Sequence, residues 1–122
     1  MLKKLAVVIA LVSFFGLVVS CGPAIDQDLV GVWECTETTS VANRVGSVVK
    51  FTEDGKMGAS ILGVDNYDDL RLVYDYEAKD GKVTYWFPEY PDITMSIVYT
   101  VSGNTLNITT SGAFQGKYKR VQ

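Results

Sequence analysis

The side chains able to do chemistry are few in this chain of 122 residues, which holds two cysteines, seven tyrosines and no histidine. Without an imidazole there is no Ser-His or Cys-His pair for nucleophilic catalysis, and the commonest general base and metal ligand are missing. The carboxylates could in principle form a glycosidase pair, but none stands apart from the turns they occupy. Asp65-Asn66-Tyr67-Asp68-Asp69 gathers three carboxylates and an amide, oxygen ligands of the kind calcium takes. Their spacing matches no EF-hand loop, and a solvated acidic loop is the simpler account. These residues predict no enzyme, no metal and no cofactor.

Cys21 has the most specific surroundings. Lys3 and Lys4 precede an almost wholly apolar run, Leu5 to Val19, broken by Ser13 and Gly16. A basic start, an apolar stretch and small residues at its end match a secretory signal. The run falls short of the roughly 20 residues that a spanning helix needs. Val18-Val19-Ser20-Cys21 resembles the lipobox of bacterial lipoproteins: an aliphatic residue, then a small one, then cysteine. The resemblance implies diacylglycerol on the Cys21 sulfur, cleavage after Ser20, and an acyl chain such as palmitate on the new N-terminus. Residues 1–20 would then be a signal helix, 21–28 a lipidated tether and 29–122 the folded domain. The expected location is the bacterial envelope, anchored to a membrane, on the outer membrane or cell surface of a Gram-negative cell. Apart from the resemblance, Cys21 could pair with Cys35 behind an ordinary signal peptide.

Removing residues 1–20 takes away Lys3 and Lys4 and no acids. It leaves 9 basic and 14 acidic residues, a net charge of about −5. An acidic surface of that kind argues against nucleic acid or an anionic bilayer as the main partner, since both need a basic surface. About 100 residues make one domain with one core. In Val32-Trp33-Glu34-Cys35, alternation puts Cys35 on the same face as Trp33, which favours a buried thiol over an intermolecular bond.

The elements that must position these residues are strands. Alternating runs at Val30–Thr36, Ser47–Thr52, Lys56–Leu62, Leu70–Ala78, Val83–Phe87, Ile93–Val101, Thr105–Thr110 and Phe114–Val121 are separated by turn residues. Asp54-Gly55 and Asp80-Gly81 are hairpin signals. In the mature chain helical spacing is absent; a short helix finds room only in Val41–Gly46 or Asp65–Leu70, neither persuasive. The pattern predicts an all-β fold, an antiparallel meander of about eight strands closed as a small barrel, with a two-sheet sandwich as the alternative. The expected inward set is Val49, Phe51, Met57, Ala59, Ile61, Leu70, Leu72, Tyr74, Tyr76, Val83, Tyr85, Phe87, Ile93, Met95, Ile97, Tyr99, Val101, Leu106, Ile108, Phe114 and Tyr118.

Gly31-Val32-Trp33 on the first strand, with Tyr118 and Arg120 at alternate positions of the last, resembles the lipocalin-like group of small barrels. Leu29 to Trp33, Val49 to Lys56 and Gly116 to Val121 are similar to the lipocalin-like domains of small bacterial lipoproteins. The resemblance implies that Gly31 and Trp33 pack at a closed end beneath Arg120. A cation resting on the indole face would contribute about 0.5–2 kcal/mol.

Tyr74, Tyr76, Tyr85 and Tyr99, if they project inward, would line an apolar space with a few hydroxyl handles, as ligand pockets are lined. Core packing is the alternative. Trp86 and Tyr90, set among Pro88 and Pro91, form either a contact patch for a protein partner or a rigid loop over one barrel end. The expectation is a non-catalytic, membrane-anchored lipoprotein whose lipocalin-like domain binds a small hydrophobic ligand or serves as a structural envelope component. The alternative is a protein-binding module such as a hydrolase inhibitor.

Overall fold

Apolar side chains at every second position need a sheet with one buried face, and a sheet closed on itself buries that face without leaving edges. In the computed structural model, which describes residues 23–122, eight antiparallel strands follow one another round a closed barrel. The expected signal helix and Cys21 lie outside the described residues. The strands are β1 (Gly31–Glu37), β2 (Val48–Phe51), β3 (Lys56–Ser60), β4 (Tyr74–Lys79), β5 (Lys82–Trp86), β6 (Met95–Ser102), β7 (Thr105–Ile108) and β8 (Gly116–Arg120). Each pairs with its neighbour in sequence, and β8 closes on β1 through Trp33↔Arg120, Glu34↔Lys119 and Cys35↔Tyr118. The fold is therefore the closed meander and not the sandwich. The one helical piece among the described residues is a 3-10 turn, Tyr67–Asp69, within Asp65–Leu70. No helix among them is long and apolar enough to cross a membrane.

Alternation fills the barrel. Trp33 and Cys35 enter from β1, Val49 and Phe51 from β2, Met57 from β3, and Tyr76 and Ala78 from β4. Val83, Tyr85, Ile97, Tyr99, Leu106, Ile108 and Tyr118 complete the ring, with Tyr74, Met95, Val101 and Phe114 half-buried against it. The aromatic rings meet edge to face, Phe51 on Tyr76 at 5.2 Å and Tyr74 on Tyr85 at 5.1 Å between centroids. Such contacts add about 0.5–1.5 kcal/mol each beyond the area they bury.

The fourth strand departs from the expected course. The pattern Leu70, Leu72, Tyr74, Tyr76 predicts a strand from Leu70, but β4 begins at Tyr74. Only Lys56↔Asp75 and Met57↔Tyr74 join it to β3. Residues 61–73 fold instead over the outside of the barrel. Leu70 is buried there against Val32 and Val48, beside Val64, Tyr67 and Val121. Val32 and Val48 lie on the outward face, and covering them drives the detour, at about 25 cal/mol per Å² of apolar surface removed from water. A Cβ at Gly58 would stand 2.2 Å from the Arg71 carbonyl oxygen, so the segment can lie on β3 only because that position is glycine. Ile61 and Leu72, expected inside, are exposed as a result. Phe87 and Ile93 are exposed too, because β5 ends at Trp86 and β6 starts at Met95, which leaves both in the connecting loop. Ala59 is paired with Val49 but is exposed at the barrel mouth.

The strand directions sort the connections into two ends. Turns 52–55, 80–81 and 103–104 gather at one end with residues 23–30. Loops 38–47, 61–73, 87–94 and 109–115 gather at the other. Asp80-Gly81 makes a two-residue turn between Lys79↔Lys82, with both residues at positive φ (54° and 78°). That geometry matches the twist of the two strands it joins.

Candidate functional site

At the first of these ends the expected closure is present. Trp33 is fully buried, and its indole Nε1 donates to the Leu29 carbonyl at 2.9 Å. The Arg120 guanidinium carbon lies 4.3 Å from the Trp33 ring centroid. Nη1 donates to the Val30 carbonyl at 2.7 Å, Nη2 to the Asp28 carbonyl at 2.8 Å and Nε to Asn104 Oδ1 at 3.1 Å. Gly31, at φ 144°, makes room: a Cβ there would stand 2.6 Å from Arg120 Nη1. Arginine thus bridges the stretch 28–30 and Asn104 of the β6–β7 turn over an aromatic plate. The arrangement holds structure together, with Nε, Nη1 and Nη2 each donating within the protein.

The four tyrosines divide between the two ends. Tyr76 donates its hydroxyl to the Thr52 carbonyl at 2.8 Å, and Tyr99 donates to Asp26 Oδ2 at 2.5 Å. Both hydroxyls are committed at the closed end. Tyr74 and Tyr85 meet edge to face towards the open end, Tyr74 against Phe87 and Tyr85 against Phe114.

The open end holds a partly enclosed cavity of about 150 Å³. Val48, Ala59, Ile61, Ala113 and Phe114 form its apolar wall, and Asn43, Ser47, Ser60 and Tyr118 its polar edge. None of Tyr74, Tyr76, Tyr85 and Tyr99 lines it. Asn43 and Ser47 are buried. Asn43 Nδ2 donates to the Gln115 carbonyl at 2.8 Å and to Tyr118 Oη at 3.0 Å, and Asn43 Oδ1 accepts from Ser47 Oγ at 2.7 Å. Tyr118 Oη donates to the Phe114 carbonyl at 2.8 Å. Gln115 Oε1 accepts from Thr38 Oγ1 at 2.8 Å and from the Thr39 amide at 3.0 Å. This network ties loop 38–47 to loop 109–115. Because its polar groups are satisfied within the protein, what remains for an occupant is apolar contact. Sequence reasoning missed Asn43 and Ser47, since a buried asparagine in a polar loop reads like any solvated turn residue.

The remaining candidates fall outside this site. In the acidic loop, Asn66 Oδ1 accepts from the Asp68 amide at 3.0 Å and caps the 3-10 turn. Among the described residues no three acidic or thiol groups are placed to hold a metal ion. Cys35 is a free, buried thiol near Asn43 and Gly116. Trp86 is half-buried opposite Asp75, whereas Tyr90 is exposed in loop 87–94.

Burial raises the pKa of Tyr76, Tyr85 and Tyr99, with nearby Asp26 adding to the effect at Tyr76 and Tyr99 and Tyr74 at Tyr85. Burial pushes Tyr118 up from 10 to about 12, against the opposing pull of its Asn43 hydrogen bond. All four phenols are therefore held neutral in the fold. The unfolded chain ionises near pH 10 and releases its protons first, so stability is full below pH 10 and falls as pH rises towards 12. For Tyr118 alone, moving one phenol from 10 to about 12 is worth on the order of 3 kcal/mol. Urea unfolding at stepped alkaline pH is expected to show this loss. A stability that stays level from pH 9 to about pH 12 would contradict the buried placement.

No family model, no curated protein and no solved structure matches this chain.

Proposed function

We propose that this chain is a lipid-anchored lipoprotein of the bacterial envelope. Its small lipocalin-like barrel has no catalytic role and takes a small apolar molecule, or one apolar group of a larger one, at its open end. The observation that carries this reading is the cavity of about 150 Å³ in a barrel otherwise filled by its own side chains. A cavity of roughly that volume accepts a benzene-sized guest. It is smaller than the roughly 300–1,000 Å³ of drug-sized pockets, so a whole lipid or a large cofactor does not fit. The anchor rests on the Lys3 to Cys21 pattern, and the absence of histidine supports a binding role over catalysis.

Native mass spectrometry of the full-length protein, released from membranes in mild detergent, tests this. A small apolar adduct is expected on the wild type. It is expected to be lost from Ala59→Leu, whose added methyls occupy the cavity from an exposed strand position with little cost to the fold. An adduct-free wild type would sink the small-molecule reading. The second reading, a protein-binding module, is favoured by the exposure of Tyr90 and Ile93 in loop 87–94 (63% and 66%). A co-purifying protein in the same spectra, unaffected by Ala59→Leu, would select it.

A further inference from the structure

The stretch ahead of β1 does not stand free of the domain. Pro23 lies against the turn joining β2 and β3, its Cγ 3.2 Å from where a Cβ on Gly55 would stand. The Ala24 carbonyl accepts the Ala78 amide at 2.8 Å. Ile25 packs on the core, and Asp26 Oδ2 accepts the Tyr99 hydroxyl at 2.5 Å. Leu29 is 1% exposed, and its carbonyl receives the Trp33 indole. Holds at 23, 24, 25, 26 and 29 pin the segment across the closed end of the barrel.

Cys21 precedes Pro23 by two positions, and two extended residues reach at most about 7 Å. A lipid on Cys21 would therefore keep the closed end of the barrel within a short reach of the headgroups. We propose that residues 23–29 act as a clamp that seats the closed end of the barrel on the membrane surface and points the open end into the aqueous space. This inference rests on the lipid-anchored reading above. Its consequence is directional. The cavity faces away from the bilayer that holds the protein, so its occupant arrives through water or is presented by another envelope protein. Extraction of a molecule from the underlying leaflet does not suit this seating.

The test uses full-length lipidated protein in phosphatidylcholine vesicles doped with a headgroup-linked quencher. Glu53→Cys, on the β2–β3 turn, and Ser111→Cys, in loop 109–115, place a fluorophore at opposite ends of the barrel, both at exposed positions. Cys35 is buried and leaves a low labelling background. Strands rising about 3.3 Å per residue put the two labels roughly 20 Å apart. Quenching is expected to be several-fold stronger at position 53 than at 111. A Gly/Ser insert of about 20 residues between Gly22 and Pro23, spanning roughly 25 Å on average, is expected to remove the difference. Equal quenching at both positions in vesicle-bound protein without the insert overturns the clamp and leaves the anchor standing. Protein that purifies without acyl mass on Cys21 and does not bind the vesicles overturns both.

Discussion

Trp33→Ala is expected to lower the unfolding free energy by about 3–5 kcal/mol, the range for truncating a large buried aromatic. The ring is fully buried and central to the core. Removing it deletes its apolar contacts, leaves a cavity that the closed barrel cannot easily collapse into, and orphans two partners. One is the Leu29 carbonyl, which loses the indole N–H; the other is Arg120, which loses the aromatic face beneath its guanidinium. Trp33→Phe separates these contributions. It keeps much of the apolar filling and an aromatic face, so it should cost less than the alanine change, with the lost hydrogen bond contributing about 0.5–1.5 kcal/mol. Urea unfolding followed by circular dichroism reports both values. A cost below about 1 kcal/mol for Trp33→Ala would mean that the closed end is not packed round this ring.

The other large effect concerns where the protein resides. Cys21→Ser is expected to abolish acyl attachment and to release the exported protein into the soluble fraction. Each buried methylene of an acyl chain contributes about 0.8 kcal/mol to membrane binding, and a single chain binds only marginally, so stable retention takes two or more. Serine offers no thiolate to alkylate, so on the proposed lipid-anchored reading the anchoring would depend on one sulfur atom. Among the described residues of the domain no helix is long and apolar enough to cross a membrane. Mass spectrometry of the N-terminal peptide and fractionation of wild type and variant check this together. Tight membrane retention of a Cys21→Ser protein cleaved of residues 1–20, or a wild-type Cys21 without acyl mass, would refute lipidation.

The parts of the barrel legible in the sequence are those specified by local chemistry. Ile97, Tyr99 and Val101 alternate with polar or exposed neighbours, which sets the face that β6 turns inward. Asp80-Gly81 can hardly serve as anything but a two-residue turn. Nothing local in the sequence links Gly31-Val32-Trp33 to Arg120; only a resemblance to small lipocalin-like barrels suggests it. The register then places Trp33 directly opposite Arg120, because closure of the barrel makes the first and last strands neighbours.

What stayed hidden depends on contacts between residues far apart in the chain. Leu70 and Leu72 have the periodicity of a strand, and nothing nearby says that Val32 and Val48 need a cover on the outer wall. By sequence Tyr76 and Tyr99 are candidates for a pocket, but Thr52 and Asp26, distant in the chain, hold their hydroxyls at the closed end. The cavity wall draws on Val48, Ala59 and Phe114, residues from three loops or strands with no shared motif. The stretch 23–28 reads as a polar tether by composition, and only the folded barrel offers Ala78 and Tyr99 as the groups that hold it. Alternation and turn chemistry act over a few residues, so strand identity, meander order and the facing of most core side chains were decided there. Cover, cavity and clamp arise where distant segments compete for the same buried surface, and that competition is settled only once the barrel has closed.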